Sequence, residues 1–200
     1  MILSETYLSD ARALEDTGAG IAALYAGSGV RLLDTDLQEI GQIPINTNFG
    51  EASKKTLEVW TEHMVVAEAD LGAGMYPISG GSVSQYLPIP IHPEGVESGD
   101  VVTNAVTVNE NMLFMANGGA GLSLAEKKGN AARTVGIIEL DGSINYVISR
   151  EDYAFAASGL SGLQIIKLNR AAKSLEAAWI SSGFQAGKES LLAELSDKEG

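Results

Sequence analysis

The chain of 200 residues has no cysteine and only two histidines, His63 and His92. Without cysteine there are no disulfides and no thiolate metal sites, although that absence does not identify the compartment. Two histidines exclude a multi-histidine metal centre, and a Ser-His-Asp triad would have to recruit one of them. His63 lies in the turn Thr61-Glu62-His63 and is expected to be a solvated turn residue, and His92, before Pro93, is expected to be structural. No uninterrupted apolar run approaches the roughly 18 residues of a membrane-spanning helix, so no membrane insertion is expected. The opening MILSETYLSDARALED lacks the basic, apolar, small-residue order of a secretion signal. Cations are scarce: 13 Lys and Arg face 26 Asp and Glu, for a net charge of -13. With no basic block to follow a phosphate backbone, nucleic acid is excluded as a partner.

What is abundant is glycine, 23 residues of it, in a chain that is 45% hydrophobic, a composition able to bury a core while turning often. A strand-like run, a Gly-containing turn and a second strand-like run recur four times: ALEDTGAGIAALYAGSGVRLLDTD, LEVWTEHMVVAEADLGAGMYPIS, AVTVNENMLFMANGGAGLSLAEK and YVISREDYAFAASGLSGLQIIKL. Aligning Gly29-Val30, Gly74-Met75, Gly121-Leu122 and Gly162-Leu163 gives spacings of 45, 47 and 41 residues. That interval matches the roughly 40 to 50 residues of a four-stranded propeller blade. The fold class expected is therefore all-β, a β-propeller of about four visible blades that can belong to a larger one of six to eight, with a short C-terminal helical tail.

Inside each unit the apolar period is two, as in Val106, Val108, Met112, Phe114, Leu122 and Leu124, which is the pattern of half-buried strands. Polar or glycine-rich turns join the runs at Asn109-Glu110-Asn111, Ser149 to Asp152 and Asp16 to Gly20. A further strand follows in each unit, at 39–45, 84–91, 133–140 and 174–181. Pro44, Pro88 and Pro90 mark these as outer edge strands, where a missing ladder donor is tolerated. The propeller repeats are placed at 1–184, in units 10–45, 55–91, 103–140 and 144–181. Two segments break the repeat: the polar connection His92 to Asp100, read as a surface loop, and the charged tail 185–200, whose Leu191, Leu192 and Leu195 have helical spacing. Trp60, Trp179, Tyr25 and Tyr153 fall on strands and are expected in the core.

Neither GAGIAALYAGSG nor NGGAGL is followed by Lys-Ser or Lys-Thr or opens a helix, so the glycines are read as turns and no cofactor is expected. Asp34 with Asp36, and Glu68 with Asp70, have a spacing that could pair carboxylates or bind Ca²⁺, but DTDLQEIGQ lacks the further ligands of a calcium loop. Strand-end solvation is the expectation for all four, and no metal site is assigned.

The pattern V-x-V, polar turn, Y/M-x-F-x-A, small-residue turn, G-L-x-I/L resembles the LVIVD repeat family, most closely in AVTVNENMLFMANGGAGLSL and YVISREDYAFAASGLSGLQII. The resemblance covers most of residues 10 to 168, with HMVVAEADLGAGMYPIS the most divergent unit. It implies a bacterial or archaeal propeller of about six to eight blades, on a secreted or cell-surface protein. Four units then leave three readings open: a four-bladed propeller, a half-propeller that closes by pairing as a homo-oligomer, or part of a longer product with further N-terminal blades.

The function expected is a non-enzymatic module that binds a protein or glycan ligand through loops at one mouth, where turns of successive blades converge. The loops are Asn117 to Ala120, Ser158 to Ser161, Ala69 to Ala73 and Gly27 to Ser28, with Ala69, Asp70, Asn117, Gly118, Ser158 and Ser161 as the ligand-contacting candidates. The alternatives are a hydrolase or lyase using Glu68 and Asp70 as central-channel carboxylates, and a structural module that associates only with itself.

Overall fold

The computed structural model describes residues 10–25, 29–45 and 56–168, and the strand 179–181. Their strands form four sheets, each an antiparallel meander in sequence order. The first holds β1 (Ala11–Asp16), β2 (Ile21–Tyr25), β3 (Gly29–Leu33) and β4 (Glu39–Ile43). The second holds β5 (Leu57–Trp60), β6 (His63–Ala67), β7 (Ala73–Pro77) and β8 (Gln85–Leu87). The third holds β9 (Ala105–Asn109), β10 (Met112–Ala116), β11 (Leu122–Lys128) and β12 (Ala131–Ile138). The fourth holds β13 (Tyr146–Arg150), β14 (Tyr153–Ala157), β15 (Leu163–Leu168) and β16 (Trp179–Ser181). Among the described residues there is no α-helix, only single 3₁₀ turns at Ser98–Asp100 and Gly159–Ser161. The helix expected over 185–200 lies outside the described residues, as does the loop Gly27 to Ser28.

Local chemistry accounts for the meander. The first two strands of the later sheets are joined by two-residue loops, with Trp60 paired to His63, Asn109 to Met112 and Arg150 to Tyr153. The first residue of each loop, Thr61, Glu110 or Glu151, has a positive φ of 59°, 55° or 52°, as tight hairpins require. The second and third strands are joined by a turn that ends on glycine, and here the repeat register differs from the sequence alignment. The second unit aligns on Gly72-Ala73, not Gly74-Met75. Gly29, Gly72 and Gly121 all have positive φ, and a Cβ on each would fall on a carbonyl oxygen, that of Ile43, Leu87 or Ile138. Gly74 instead lies inside β7, where the Glu68 side chain fills the space a Cβ would need.

The fourth strands exist where the sequence placed outer edges, but β4 and β8 end at Ile43 and Leu87. Pro44, Pro88 and Pro90 come after the ladder, which satisfies the same constraint by stopping it.

The sheets stack face to face. First strands pack on one another, β1 on β5, β5 on β9 and β9 on β13; no packing of that extent joins β13 back to β1 among the described residues. Between the first two sheets lie Ala22, Leu24, Val30 and Ile43 against Leu57, Met64, Val66 and Tyr76. Between the second and third lie Val65, Met75 and Leu87 against Val106, Leu113 and Met115, and Trp60, as expected, is buried there. Between the third and fourth lie Phe114, Leu122, Leu124 and Ile138 against Val147, Ala154, Ala156 and Ile166. The second and third sheets thus each have one face toward their predecessor and one toward their successor, and alternate residues of their strands serve opposite interfaces. Tyr25 is buried as expected, whereas Tyr153 is only half-buried. Trp179 lies on β16.

Candidate functional site

The stack has two ends. At one lie the turns between second and third strands, which hold the loop residues singled out in the sequence. Glu68, Asn117 and Ser158 occupy equivalent positions there, each donating its backbone N–H to the carbonyl of the turn's closing glycine, Gly72, Gly121 or Gly162. All three side chains are buried. Asn117 accepts from the Thr103 hydroxyl at 2.7 Å and donates to Ser123 Oγ at 2.5 Å, and Ser158 accepts from Gln164 at 2.7 Å. Ala69 and Gly118 form isolated bridges to Thr103 and Ile144, the segments that enter the next sheet. Gly118 is buried, Ala69 and Ser161 are half-buried, and Asp70 is exposed. At this end Ala69 and Gly118 tie their turns to the segments entering the next sheet, Asn117 and Ser158 hold their turns from within their own sheets, and Asp70 faces solvent.

Glu68 and Asp70 follow β6, a second strand, so they do not lie on the strands nearest the axis. The carboxylates on the first strands are Glu15 and Asp16 on β1 and Glu58 on β5. Burial, and then repulsion from Glu15, pushes Glu58 up to about 7, against hydrogen bonds from Thr107 and the Val108 N–H. Burial also raises Glu15, partly offset by a bond to the backbone of Val59. Among the described residues no three His, Asp or Glu converge on one point, so no residue is assigned to a metal.

The opposite end carries the two-residue hairpins and the turns between third and fourth strands. An open cleft of about 630 Å³ lies there between the second and third sheets, lined by Thr61, Glu62, His63, Pro77, Ile78, Ser79, Ser84 and Asn130. Its volume is within the roughly 300 to 1,000 Å³ of ligand sites. Contrary to its expected place in a solvated turn, His63 is the first residue of β6 and only 6% exposed. Its Nδ1 is buried without a hydrogen-bond partner. Burial, and secondarily the Lys127 ammonium, lower its pKa and favour the neutral ring.

The cleft walls are clasped across the two sheets. Lys127 Nζ sits 5.3 Å from the Trp60 ring centroid and donates to the Trp60 carbonyl at 2.9 Å and to the Thr61 hydroxyl. Trp60 Nε1 donates to the Glu110 carbonyl at 2.7 Å. The Gln85 amide donates to the Ala132 carbonyl at 2.6 Å and accepts the Ala132 N–H at 2.9 Å. Hydroxyls, an amide, a carboxylate and a neutral imidazole thus edge an apolar floor of Pro77 and Ile78, a surface suited to a ligand rich in hydrogen-bonding groups.

Sequence reasoning missed this cleft because Thr61-Glu62-His63 reads as three polar turn residues. The signal was in the repeat itself: His63 aligns with Met112 and Tyr153, each of which opens a second strand.

No protein-family model and no curated protein matches the sequence. Solved structures match its fold. The crystal structure of the computationally designed Ika4 protein aligns with a TM-score of 0.56 at 13% identity, covering 83% of this chain and 96% of that one. The computationally designed Ika8 protein aligns at 0.57 and 14%, covering 89% of this chain and 53% of that one. BamB from Moraxella catarrhalis aligns at 0.57 and 15%, covering 83% and 49%. The chain thus spans nearly all of the first and about half of the other two. These likenesses, with the stacked four-stranded meanders, make the fold a β-propeller.

Proposed function

We propose that this β-propeller is a non-enzymatic interaction module that binds a peptide or glycan in the cleft between its second and third sheets. The observation that carries the reading is His63, a buried neutral imidazole with an unpartnered nitrogen in the wall of an open, polar-edged cleft. Buried polar groups are otherwise satisfied in folded proteins, so an orphan in the wall of a concave cleft supports a functional site there. The net charge of -13 supports a partner other than nucleic acid. The resemblance of the third and fourth units to LVIVD repeats supports a secreted or cell-surface setting.

The test is a glycan array and a peptide library probed with the wild-type chain and with Asn130→Trp, which fills the cleft mouth. Ligands retained by the wild type and lost by the variant are expected. Binding that survives Asn130→Trp, or no ligand from either library, would overturn the assignment of this cleft.

A further inference from the structure

We propose that Glu68 is a pH-operated latch: loss of its proton opens the turn from Glu68 to Gly72 and releases the second sheet's hold on Thr103, in the segment that leads into the third sheet. Glu68, Asn117 and Ser158 occupy the same place in successive sheets. Asn117 and Ser158 are neutral and hydrogen-bonded. Glu68 is the ionisable member of the series, and it is 1% exposed. Its carboxyl group takes the space left by the missing Cβ of Gly74, where the third sheet carries Ser123 and the fourth Gln164. Oε1 accepts from the buried Tyr76 hydroxyl at 2.6 Å, and Oε2 is buried without a partner. A charge placed there has one bond in place of a hydration shell.

The groups around Glu68 do not compensate that charge. Tyr76 faces it from β7, and the Tyr76 hydroxyl also bonds to that of Tyr86 on β8, which is 37% exposed. The first sheet presents Ala22, Leu24, Val30 and Ile43 around Tyr76. Asp70 is exposed in the same turn, and Thr103 packs on the neighbouring Ala69. Among the described residues no cation of these elements reaches Glu68, and burial raises its pKa accordingly.

Relief of the charge falls on a turn closed on itself. The Glu68 N–H donates to the Gly72 carbonyl at 2.8 Å, and the Leu71 N–H to the Glu68 carbonyl at 3.0 Å. Ala69 has a φ of 52°, a left-handed conformation that costs a residue with a Cβ, so the closed turn already carries strain. The Ala69 carbonyl accepts the Thr103 N–H at 2.8 Å, which bridges the second sheet to the segment entering the third. Opening the turn breaks that bond. The Thr103 hydroxyl in turn donates to Asn117 at 2.7 Å, so the change passes to the turn of the next sheet. In the open turn Glu68 meets water and ionises at its ordinary pH, while the closed turn keeps the proton. Rising pH therefore favours opening, until the closed form ionises as well.

The test is amide hydrogen exchange of Thr103, read by NMR on the whole chain and corrected for the intrinsic effect of pH. Protection of Thr103 is expected to fall by about tenfold per pH unit between 4.5 and about 7, then level off. Low urea should leave its rate unchanged, because a local opening exposes little surface. Glu68→Gln, which keeps an acceptor for Tyr76 and removes the charge, should hold Thr103 at its low-pH protection throughout. Protection that is flat with pH in the wild type overturns the latch, as does a slope that persists in Glu68→Gln. Thr103 exchange that rises with low urea in step with the slowest amides also overturns it, since the bond then breaks only when the whole fold does. The urea comparison needs only the wild type. None of the latch residues lines the cleft, so the outcome is separate from that of the binding reading.

Discussion

Tyr76 donates its hydroxyl hydrogen to Glu68 Oε1 at 2.6 Å, while Glu68 Oε2 is buried with no partner. One good bond does not replace the hydration of a carboxylate, so burial pushes the Glu68 pKa up to about 7. The same burial, together with donation to Glu68, raises Tyr76 and keeps it protonated. In the third sheet the equivalent position is Asn117, neutral and bonded at both ends of its amide, which avoids the problem.

Stability is therefore expected to fall with rising pH through this group. A carboxyl whose folded pKa exceeds its unfolded value costs nothing below the unfolded value, progressively more up to the folded one, and a constant amount above it. For Glu68 that window runs from 4.5 to about 7, and at ~1.4 kcal/mol per pH unit the full effect is at most about 3.5 kcal/mol. Glu58 adds in the same direction. Thermal melts of the wild type should drop by several degrees across the window, and Glu68→Gln should flatten much of that slope. An unchanged slope in Glu68→Gln would remove Glu68 as the cause.

His63 works in the opposite sense. Its folded pKa is lowered, so stability is complete above the unfolded value of about 6.5 and is lost as pH falls below it. Ring titration by NMR should place His63 below 6.5, and Lys127→Met should move it upward by removing the neighbouring charge. A His63 that titrates at 6.5 or above would contradict the buried geometry.

Lys127 itself contributes through its position on Trp60 and its bonds to Trp60 and Thr61. Lys127→Met keeps the chain length and removes those interactions, for an expected loss of about 1 to 2 kcal/mol in denaturant unfolding. The Trp60 emission spectrum should change with it, since the cation leaves the ring face. An unaltered spectrum and midpoint would show the clasp to be idle.

Gly121 and Gly129 both have positive φ, 82° and 60°, but only Gly121 has a carbonyl, that of Ile138, where a Cβ would stand. Gly129→Ala should cost about 1 kcal/mol from the left-handed backbone alone. Gly121→Ala should cost more than about 2 kcal/mol, because the β11–β12 ladder must also shift. Equal midpoints for the two variants would refute the distinction.

Much of the architecture was legible in the chain because its determinants are local. Alternation of apolar residues predicts the strands, and Asn109-Glu110-Asn111 predicts a hairpin, because both depend on neighbours a few residues away. The repeat register of the second unit was not legible, since Gly72 and Gly74 each precede an apolar residue and only a distant carbonyl, that of Leu87, singles out Gly72. The site was less legible still. Asn117 and Ser158 read as loop polarity facing a ligand, but Thr103, Ser123 and Gln164, brought from other strands, turn them inward.

From sequence alone, then, the chain determined that it is a repeated all-β meander with a strongly acidic surface, since period, turn chemistry and charge are properties of short segments. Tertiary structure decided which polar residues are buried and which end of the stack carries a cleft. Those outcomes depend on what arrives from the next sheet some 40 residues away, and solvent exclusion at such contacts has no local sequence signature.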